Sequence, residues 1–351
     1  MTSIAVDRKE RSAFPGSSLA GFHATRSRLL RPAMVALACA GAGAPAIAAE
    51  AYPARPVRLI VPYAPGGNAD LVGRLVADGL TSRLGAQFIV DNRPGASSVI
   101  GTELAVKAPA DGYTILLVAS TFAVNTSLVP KLPYDTLRDL IPISLVAQTP
   151  QILLASPVVP VRSLKELIAL AKAKPGTLNY GSTGVGSTAN MAGALLNVLA
   201  GIHLVHVPYK ATAQSLTDAM AGHLHLVIPS LTSSIAHIRS GKLKALGVTS
   251  TKRSAQLPEV PTIAEGGVPG YQAVIWNGVL APRGTPAPIL DRLSREVAAA
   301  MRAPEAAERY RALGAETIGS TPEEFAKFLR AELAQYARVI KETGLKAELE
   351  R

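Results

Sequence analysis

The stretch RLIVPYAPGGNADLVGRLVADGL, residues 58–80, predicts a strand, a tight turn and a helix in direct succession. Residues 59–61 form the short apolar run of a buried strand, and the prolines and glycines that follow end that strand. From Asn68 onward the apolar side chains recur at the spacing of one helix face, and Asn68 is the predicted N-cap. The predicted face consists of Leu71, Leu75, Val76 and Leu80.

The turn within this stretch has the features of an anion site. The first N–H groups of a helix lack acceptors within the helix and lie at the positive end of its dipole. Gly66 and Gly67 carry no side chains that would block the approach of a ligand to those groups. The alternative is that the two glycines only make the turn, and the stretch by itself does not decide between these interpretations.

The composition is that of a globular protein with a mildly basic surface. Of 351 residues, 48% are hydrophobic and 17% are charged, which suits two α/β domains. The formal charge of +11 falls to +7 without residues 1–48, which hold six Lys and Arg against two Asp and Glu. The remaining basic residues are dispersed and aromatic residues make up only 5%, so no nucleic-acid-binding surface is predicted.

Residues 1–48 resemble a secretory signal peptide. Arginines at positions 26, 28 and 31 precede an alanine-rich apolar stretch, residues 33–49, and Ala46-Ile47-Ala48 offers small residues for cleavage after Ala48. The apolar stretch is too short to span a bilayer comfortably, and no later segment reaches about 18 uninterrupted apolar residues. The mature protein is therefore predicted to be soluble and exported to the periplasm.

Cys39 is the only cysteine of the chain, and it lies within the predicted signal peptide. Cleavage would leave no cysteine, which excludes disulfides, thiolate catalysis and cysteine-based metal sites. A lipoprotein anchor on Cys39 is the competing interpretation, but the preceding Ala36-Leu37-Ala38 fits the usual lipid-attachment pattern poorly.

Strands and helices alternate along the rest of the chain, which is typical of α/β domains with parallel sheets. Further strands are predicted at residues 87–92, 111–120, 204–209, 225–230, 245–250 and 274–282. Residues 145–156 form a long apolar segment that could leave one domain and enter a second. Helices are predicted at residues 100–107, 163–174, 215–221 and 233–240 and over the remainder after 282. Loops at the carboxyl ends of parallel strands are the expected ligand site.

A second strand, turn and helix are predicted in TLNYGSTGVGSTANMAGALLNVLAG, residues 177–201. Residues 184–189 formally match the dinucleotide-binding fingerprint, but the acidic residue expected about 20 positions later is missing. We therefore interpret the turn as a hydroxyl-rich anion loop, in which Ser182, Thr183 and Ser187 supply O–H groups beside free helix N–H groups.

Two histidine pairs raise the hypothesis of a metal site: His203 with His206, and His223 with His225. No Asp, Glu or Cys nearby completes a ligand set, so exposed or turn-capping histidines are the preferred interpretation. No GxSxG, HExxH or Walker motif occurs, and neither a metal, a cofactor nor catalysis is predicted. Trp276, the single tryptophan, is expected in the core or along a cleft.

Five segments carry a family resemblance when they are taken together. They are YPARPVRLIVPYAPGGNADLVGR (52–74), DNRPGASSVIGTELAVKAPADGYTILL (91–117), LNYGSTGVGST (178–188), HVPYK (206–210) and LPEVPTIAEGGVPGYQAVIWNGVLAPRGTP (257–286). In this order they resemble the tripartite tricarboxylate transporter receptors, also known as Bug receptors. The resemblance implies a type II periplasmic-binding-protein fold, in which two α/β domains are joined by two crossing segments. It also implies a small, usually carboxylated ligand, held in the cleft between the domains by backbone amides, hydroxyls and ordered water.

The resemblance assigns ligand contacts to four loops of this chain. The loop after the first strand contributes Tyr63, Ala64, Gly66, Gly67, Asn68 and Asp70. The other contacts are Ser120, Thr121 and Asn125 after the third strand, Ser182, Thr183 and Ser187 in the anion loop, and Ser230 after the strand at 225–230. Two helix N-termini that face one cleft would suit a carboxylate at each end of the ligand.

The sequence departs from the family's pattern at four places. Residues 97–99, Ser-Ser-Val, replace a glycine pair, and Ala211 replaces a glycine. Asn190 stands where the family has a histidine, and His225 stands where it has an acidic residue. The loss of that acidic residue predicts a less negative cleft, which favours a purely anionic ligand over one that carries an amine.

The resulting prediction is an exported solute-binding protein that is a monomer and delivers a small organic acid to the membrane subunits of a tripartite transporter. Residues 49–150 with 275–351 form the first predicted domain and residues 151–274 the second, with hinges near 148–157 and 270–276. A receptor that signals through a sensor kinase has the same binding chemistry and stays an alternative. An exported hydrolase or isomerase is a further alternative, for which His225 is the uncommitted candidate base.

Overall fold

A computed structural model describes residues 52–312 and 315–346, and the predicted signal peptide lies outside these residues. Its strands are β1 (Val57–Val61), β2 (Phe88–Asn92), β3 (Thr114–Ala119), β4 (Leu140–Pro150), β5 (Ile152–Ala155), β6 (Asn179–Ser182), β7 (Val205–Pro208), β8 (Leu226–Val227), β9 (Lys244–Val248), β10 (Val274–Pro282) and β11 (Glu316–Thr317). Its helices are α1 (Asn68–Leu84), α2 (Val99–Val106), α3 (Thr121–Leu128), α4 (Leu164–Ala173), α5 (Thr188–Ala200), α6 (Thr212–Ala221), α7 (Ile235–Arg239), α8 (Ala287–Arg302), α9 (Pro304–Ala312) and α10 (Pro322–Thr343). Within the described ranges, no helix is both long enough and apolar enough to cross a membrane.

The strands form two mixed sheets. The first has the order β11-β4-β10-β3-β1-β2, and the second has the order β7-β6-β8-β5-β9. β1 is parallel to β2 and β3, and β6 is parallel to β7 and β8, as the alternating pattern predicts. The prediction of parallel sheets does not hold for the other strands. β10 is antiparallel to β3 and β4, and β5 is antiparallel to β8 and β9, because these strands adjoin the passages of the chain from one sheet to the other.

The chain passes between the sheets twice. The outgoing passage is abrupt, since β4 ends at Pro150, β5 begins at Ile152 and the single residue Gln151 separates them. The apolar segment at 145–156 therefore contains the end of β4 and the whole of β5, which lie in different sheets. The return passage leads from the end of β9 at Val248 to the start of β10 at Val274.

The first strand and helix form as the opening stretch predicts, but α1 turns a slightly different face to the core. Val72, Val76 and Leu80 are buried, whereas Leu71 is 38% exposed. The spacing alone does not separate the adjacent apolar residues Leu71 and Val72. Asn68, the predicted N-cap, is instead the first helical residue, because the extended residue before it, Gly67, takes the cap position.

Two elements of the first sheet's region were not predicted. Helix α3 follows β3 directly, and its cap residue Ser120 makes no side-chain capping bond, so the usual N-cap signal is missing. Strand β11 has only two residues at the edge of the sheet, where it pairs with β4. Short edge pairing of this kind leaves almost no periodicity in the sequence.

The return passage is held by the C-terminal helix α10. The Trp276 side chain is fully buried, and its Nε1 donates a hydrogen bond of 2.7 Å to Glu332 Oε2. Gln335 Nε2 donates to the carbonyl oxygen of Gln272 at 3.0 Å. Helix α10 also packs against α3 beside the first sheet and against α5 beside the second. It therefore contacts both halves of the molecule and the strand that connects them.

Glu332 is a carboxylic acid in an apolar setting. Its residue is 5% exposed, and burial raises its pKa from the usual 4.5 to about 7, which hydrogen bonds from Trp276 and Tyr336 offset only in part. Burial, reinforced by the neighbouring Glu332, likewise raises the pKa of the Tyr336 hydroxyl. A pH change near neutrality thus alters the charge of Glu332, which is hydrogen-bonded to Trp276 near the start of β10.

Candidate functional site

A cavity of about 580 Å³ lies between the two sheets. It is lined by Asn68, Thr149, Gln151, Thr183, Thr188, Ala189, Thr212, Ala213, Leu216, Thr217, Met220, Ile228, Pro229, Ser230, Ser233, His237 and Ile275. Among these described residues there is no Asp, Glu, Lys or Arg. An anion in this cavity would therefore be bound chiefly by backbone dipoles and hydroxyl groups, and His237 is the one ionisable side chain in the described lining.

Three helices begin at this cavity with unpaired amide groups. The N–H groups of Asn68 in α1, Thr188 in α5 and Thr212 in α6 have no hydrogen-bond acceptor within residues 52–312 and 315–346. Helix starts of this kind bind anions through the free N–H groups and the positive end of the dipole. The structure thus adds α6 to the two helix starts that the sequence predicts.

The loop between β1 and α1, residues 62–67, is fixed to the third strand by Tyr63. The Tyr63 hydroxyl is hydrogen-bonded to Thr121 Oγ1 at 3.0 Å and accepts the Ala119 N–H at 3.0 Å. Burial raises the pKa of Tyr63, so this hydroxyl stays protonated and keeps its role as a donor. Tyr63 and Thr121 therefore bond to each other and support the loop from behind.

The remaining predicted residues of this loop divide into exposed and buried ones. Ala64, Gly66 and Gly67 are exposed next to Asn68, which lines the cavity. Asp70 is 2% exposed and is hydrogen-bonded to the loop itself.

The Asp70 carboxylate is enclosed by three donors. Its Oδ2 accepts the Gly66 N–H at 2.8 Å and Arg74 Nε at 3.1 Å, and its Oδ1 accepts Asn92 Nδ2 at 3.0 Å. Burial by itself would raise the pKa of Asp70, but these hydrogen bonds outweigh it and hold the pKa below its usual range. Asp70 therefore holds Gly66 in its left-handed conformation, φ +80°, and fixes the start of α1.

The hydroxyl-rich loop between β6 and α5, residues 182–187, is supported from within by two serines. Ser187 Oγ donates to Ser182 Oγ at 3.1 Å and accepts the Asn190 N–H at 3.2 Å, which caps α5. The Gly184 N–H also donates to Ser182 Oγ, at 3.2 Å. Thr183 is exposed and lines the cavity. Ser182 and Ser187 thus hold the loop in shape, and Thr183 is its exposed residue in the cavity lining.

A serine and a histidine meet beneath this loop at the distance of a nucleophile and its base. Ser182 Oγ is 2.6 Å from His206 Nε2. Ser182, however, is 3% exposed, and its hydroxyl is shared with Ser187 and Gly184. A hydroxyl that is buried and bonded on all sides stabilises a loop and is not presented to a substrate. His206, interpreted from the sequence as an exposed or turn-capping histidine, is part of this loop support.

The two remaining serines of the predicted set differ in position. Ser230 lines the cavity, and its hydroxyl is 2.9 Å from Ser233 Oγ. Ser120 is fully buried, and its Oγ accepts the Trp276 N–H at 2.9 Å. Ser120 therefore ties the end of β3 to the return passage.

Asn125 holds an unusual turn before α2. Its Nδ2 donates to the Ser97 carbonyl oxygen at 2.6 Å, and the residue is 3% exposed. Ala96, Ser97 and Ser98 all have positive φ, at 44°, 51° and 83°. Ser97 and Ser98 belong to the segment, residues 97–99, that replaces the glycine pair of the family pattern, and the left-handed backbone gives the physical reason for that preference.

Replacing Ser97 by glycine is therefore expected to stabilise the protein by about 1 kcal/mol, because the left-handed conformation costs a residue with a Cβ more than it costs glycine. Urea unfolding measures the change. The control is Ser127→Gly within helix α3, which is expected to lose about 0.5 kcal/mol. Equal signs for both substitutions would contradict this account.

His225 corrects one prediction. Its N–H donates to Asn179 Oδ1 at 2.8 Å, and its ring Nδ1 lies 2.8 Å from the same atom. Asn179 begins β6, whereas the cavity loops follow the carboxyl ends of β6 and β8. The predicted effect of His225 on the cleft's charge is therefore wrong, and so is its candidacy as a base in the cleft, because it lies at the opposite edge of the sheet.

The histidine pairs also do not assemble a metal site. No group of three or more His, Cys, Asp or Glu side chains suited to a metal ion occurs in the part of the chain that the structure describes. Asn190, at the family's histidine position, is fully buried and accepts the Gly186 N–H at 3.1 Å through Oδ1.

The sequence missed two walls of the cavity. One is the side of α6 that carries Thr212, Leu216 and Met220, whose four-residue spacing was visible but reads as an ordinary core-facing stripe. The other is the outgoing passage, where Thr149 and Gln151 are buried in the lining. Thr149 Oγ1 and Gln151 Oε1 have no hydrogen-bond partner among the described residues.

With this geometry established, comparison with known proteins shows the family. The model of the tripartite tricarboxylate transporter family receptor matches residues 72–345 of the chain. The chain belongs to this family. These receptors are periplasmic binding proteins. The α/β fold with two sheets and a cavity between them confirms the predicted type II periplasmic-binding-protein fold.

One relative and two solved structures show how far the likeness extends along the chain. BugT of Bordetella pertussis is 38% identical over 322 residues, which cover 91% of this chain and 98% of BugT. The structure of R. palustris Rpa4515 with adipate is 36% identical and has a TM-score of 0.69, covering 84% of this chain and 99% of that one. MatC from Rhodopseudomonas palustris with bound malate is 29% identical with a TM-score of 0.66, covering 82% of this chain and 100% of MatC.

Proposed function

We propose that this tripartite tricarboxylate transporter receptor captures a small organic acid in the cavity between its sheets and delivers it to the membrane subunits of a tripartite transporter. The observation that carries the proposal is the convergence of three helix starts with free N–H groups on one cavity whose described lining has no Asp, Glu, Lys or Arg. Adipate and malate in the structures of relatives support an acid as the ligand class.

In this proposal the ligand is bound without being changed. The protein is exported by cleavage after Ala48, acts as a monomer and closes over its ligand. The moving bodies are residues 49–150 with 275–351, and residues 151–274, and the hinges are the two passages near 148–157 and 270–276. The ligand favours the closed state because only there do α1 on one side and α5 and α6 on the other contact it together. The same binding step would serve a sensor kinase, and uptake assays with and without the membrane subunits separate the two roles.

The Asn68→Asp variant tests the proposal. This change keeps the size of the side chain but places a negative charge at the start of α1, in the cavity lining. Like charges about 4 Å apart repel by roughly 4 kcal/mol at an effective dielectric constant of 20, so affinity for any carboxylate is expected to fall at least about tenfold. Titration calorimetry on residues 49–351 measures the change.

The matched control is Gln214→Glu, which adds the same charge to the first turn of α6 at an exposed position outside the cavity lining. It is expected to change affinity less than about threefold. An Asn68→Asp variant that binds acids as well as the unchanged protein would refute the site, and a ligand recovered in altered chemical form would refute the binding-only role.

A further inference from the structure

The cavity extends along α6 well beyond that helix's first turn. Thr212 and Met220 both line it, and the helix rises about 12 Å between them. An acid whose carboxylate lies at the helix starts therefore needs a body of comparable length to reach the far end. We refer to this part, bounded by Leu216 and Met220, as the distal chamber.

The distal chamber offers few donors to a second carboxylate. Backbone N–H groups in the middle of a helix bond to carbonyls within the helix and are not available to a ligand. The nearby hydroxyls are also engaged, since Thr217 Oγ1 donates to the Ala213 carbonyl at 3.0 Å and Ser233 Oγ donates to the Ser230 carbonyl at 2.9 Å. A carboxylate placed here would lose its hydration without equivalent replacement.

One buried acceptor in the floor of the cavity disfavours a second carboxylate beside it. Gln151 is 2% exposed, and its orientation is set because Nε2 donates to the Ile228 carbonyl at 2.9 Å. Its Oε1 is thereby left as a buried acceptor without a partner among the described residues. A neutral hydroxyl or amide donor would satisfy this oxygen, whereas a carboxylate, which only accepts, would be repelled.

We propose that the ligand of this receptor is a monocarboxylate with a hydrophobic body, whose carboxylate binds at the helix starts and whose body lies along α6 against Leu216 and Met220. The inference rests on the proposed function, since it takes the carboxylate site from there. It is narrower than the proposed function, which allows any small organic acid. It also differs from the adipate and malate bound to the relatives, because each of these carries two carboxylates.

Calorimetric titration of residues 49–351 with 3-phenylpropanoate, adipate and malate tests the ligand class. The monocarboxylate is expected to bind at least about tenfold more tightly than either diacid. A diacid that binds equally well or better overturns the monocarboxylate proposal and leaves the proposed function intact. If none of the acids, and no wider panel of carboxylates, binds, the proposed function and the present inference fail together. The titrations are repeated with His237→Gln, because His237 is the one ionisable side chain in the described lining; the same order of affinities is expected, and a reversed order overturns the monocarboxylate proposal.

The Met220→Lys variant tests the placement of the body along α6. A cation in the distal chamber is expected to weaken 3-phenylpropanoate at least about tenfold and to strengthen adipate, which reverses the order of the two ligands. Gln214→Lys, on the exposed face of the same helix, is the matched control and is expected to alter neither affinity by more than about threefold. Unchanged affinities in a folded Met220→Lys protein overturn the placement. If that variant does not fold, Met220→Gln replaces it, with loss of 3-phenylpropanoate affinity as the expected result and no loss as the contrary one.

Discussion

A Glu332→Gln variant is expected to be about as stable as the unchanged protein near pH 4 and about 3 kcal/mol more stable at pH 8. Burial raises the pKa of Glu332 from 4.5 to about 7. Below pH 4.5 both folded and unfolded chains hold the proton, so no difference arises. Between these values the unfolded chain loses its proton while the folded chain keeps it, so the free energy of unfolding falls as the pH rises. Glutamine resembles the neutral acid, can still accept from Trp276 Nε1 and carries no such penalty.

Urea unfolding of both proteins from pH 4 to pH 8 measures this difference. Glu342→Gln on the same helix is the control, because that side chain is 44% exposed and paired with Arg338 at 2.7 Å. Its effect is expected to stay within about 0.5 kcal/mol at every pH. A Glu332→Gln difference that is flat, or that shrinks as the pH rises, would show that the carboxyl group ionises freely in the folded protein.

An Asp70→Ala variant is expected to lose about 3 kcal/mol of stability at pH 7 and at least tenfold in affinity for acids. The substitution leaves the Gly66 N–H and the Asn92 amide without their acceptor, and buried donors without a partner are costly. It also frees the loop before α1, so the N–H groups at that helix start are no longer held in place. Because the pKa of Asp70 is lowered on folding, its stabilisation is present above about pH 4 and is lost as the pH falls further.

Asp78→Ala provides the comparison on the same helix. Asp78 forms an ion pair with Arg309 in which both side chains are more than half exposed, at 60% and 57%, and such pairs contribute little. Its loss is expected to cost less than about 1 kcal/mol and to leave binding unchanged. Equal losses in the two variants, or an unaffected affinity in Asp70→Ala, would contradict the role given to the Asp70 carboxylate.

The sequence predicted those parts of the fold that depend on local pattern. The apolar run before Pro62 predicts the strand, and the spacing of apolar residues after Asn68 predicts the helix. Both patterns are visible within about 20 residues. The antiparallel direction of β5 and β10 was not predictable in this way. It follows from the two passages between the sheets, and a one-residue passage at Gln151 has no signature in composition or period.

The predicted contact residues divide between the lining of the cavity and the support of its loops. Asn68, Thr183 and Ser230 line the cavity, but a sequence does not distinguish a polar side chain that faces a ligand from one that supports the loop. Asp70 and Ser182 are of the second kind, since their partners are the donors and hydroxyls of their own loops. Met220 was missed for the opposite reason, because an apolar residue at helical spacing is expected in a core and here lines a cavity.

The position of Trp276 gives the protein a built-in optical signal. It is the one tryptophan in the chain, and its indole lies near the start of β10, just after the return passage, with Phe325 and Phe328 edge-on at 5.9 and 5.6 Å. Indole fluorescence depends on the polarity and charge around the ring, so emission from the unlabelled protein reports on one known place. Rotation of the two halves of the molecule about the start of β10 would shift the emission, and so would loss of the Glu332 proton. A titration with ligand at fixed pH, and one with acid in the absence of ligand, would tell the two events apart.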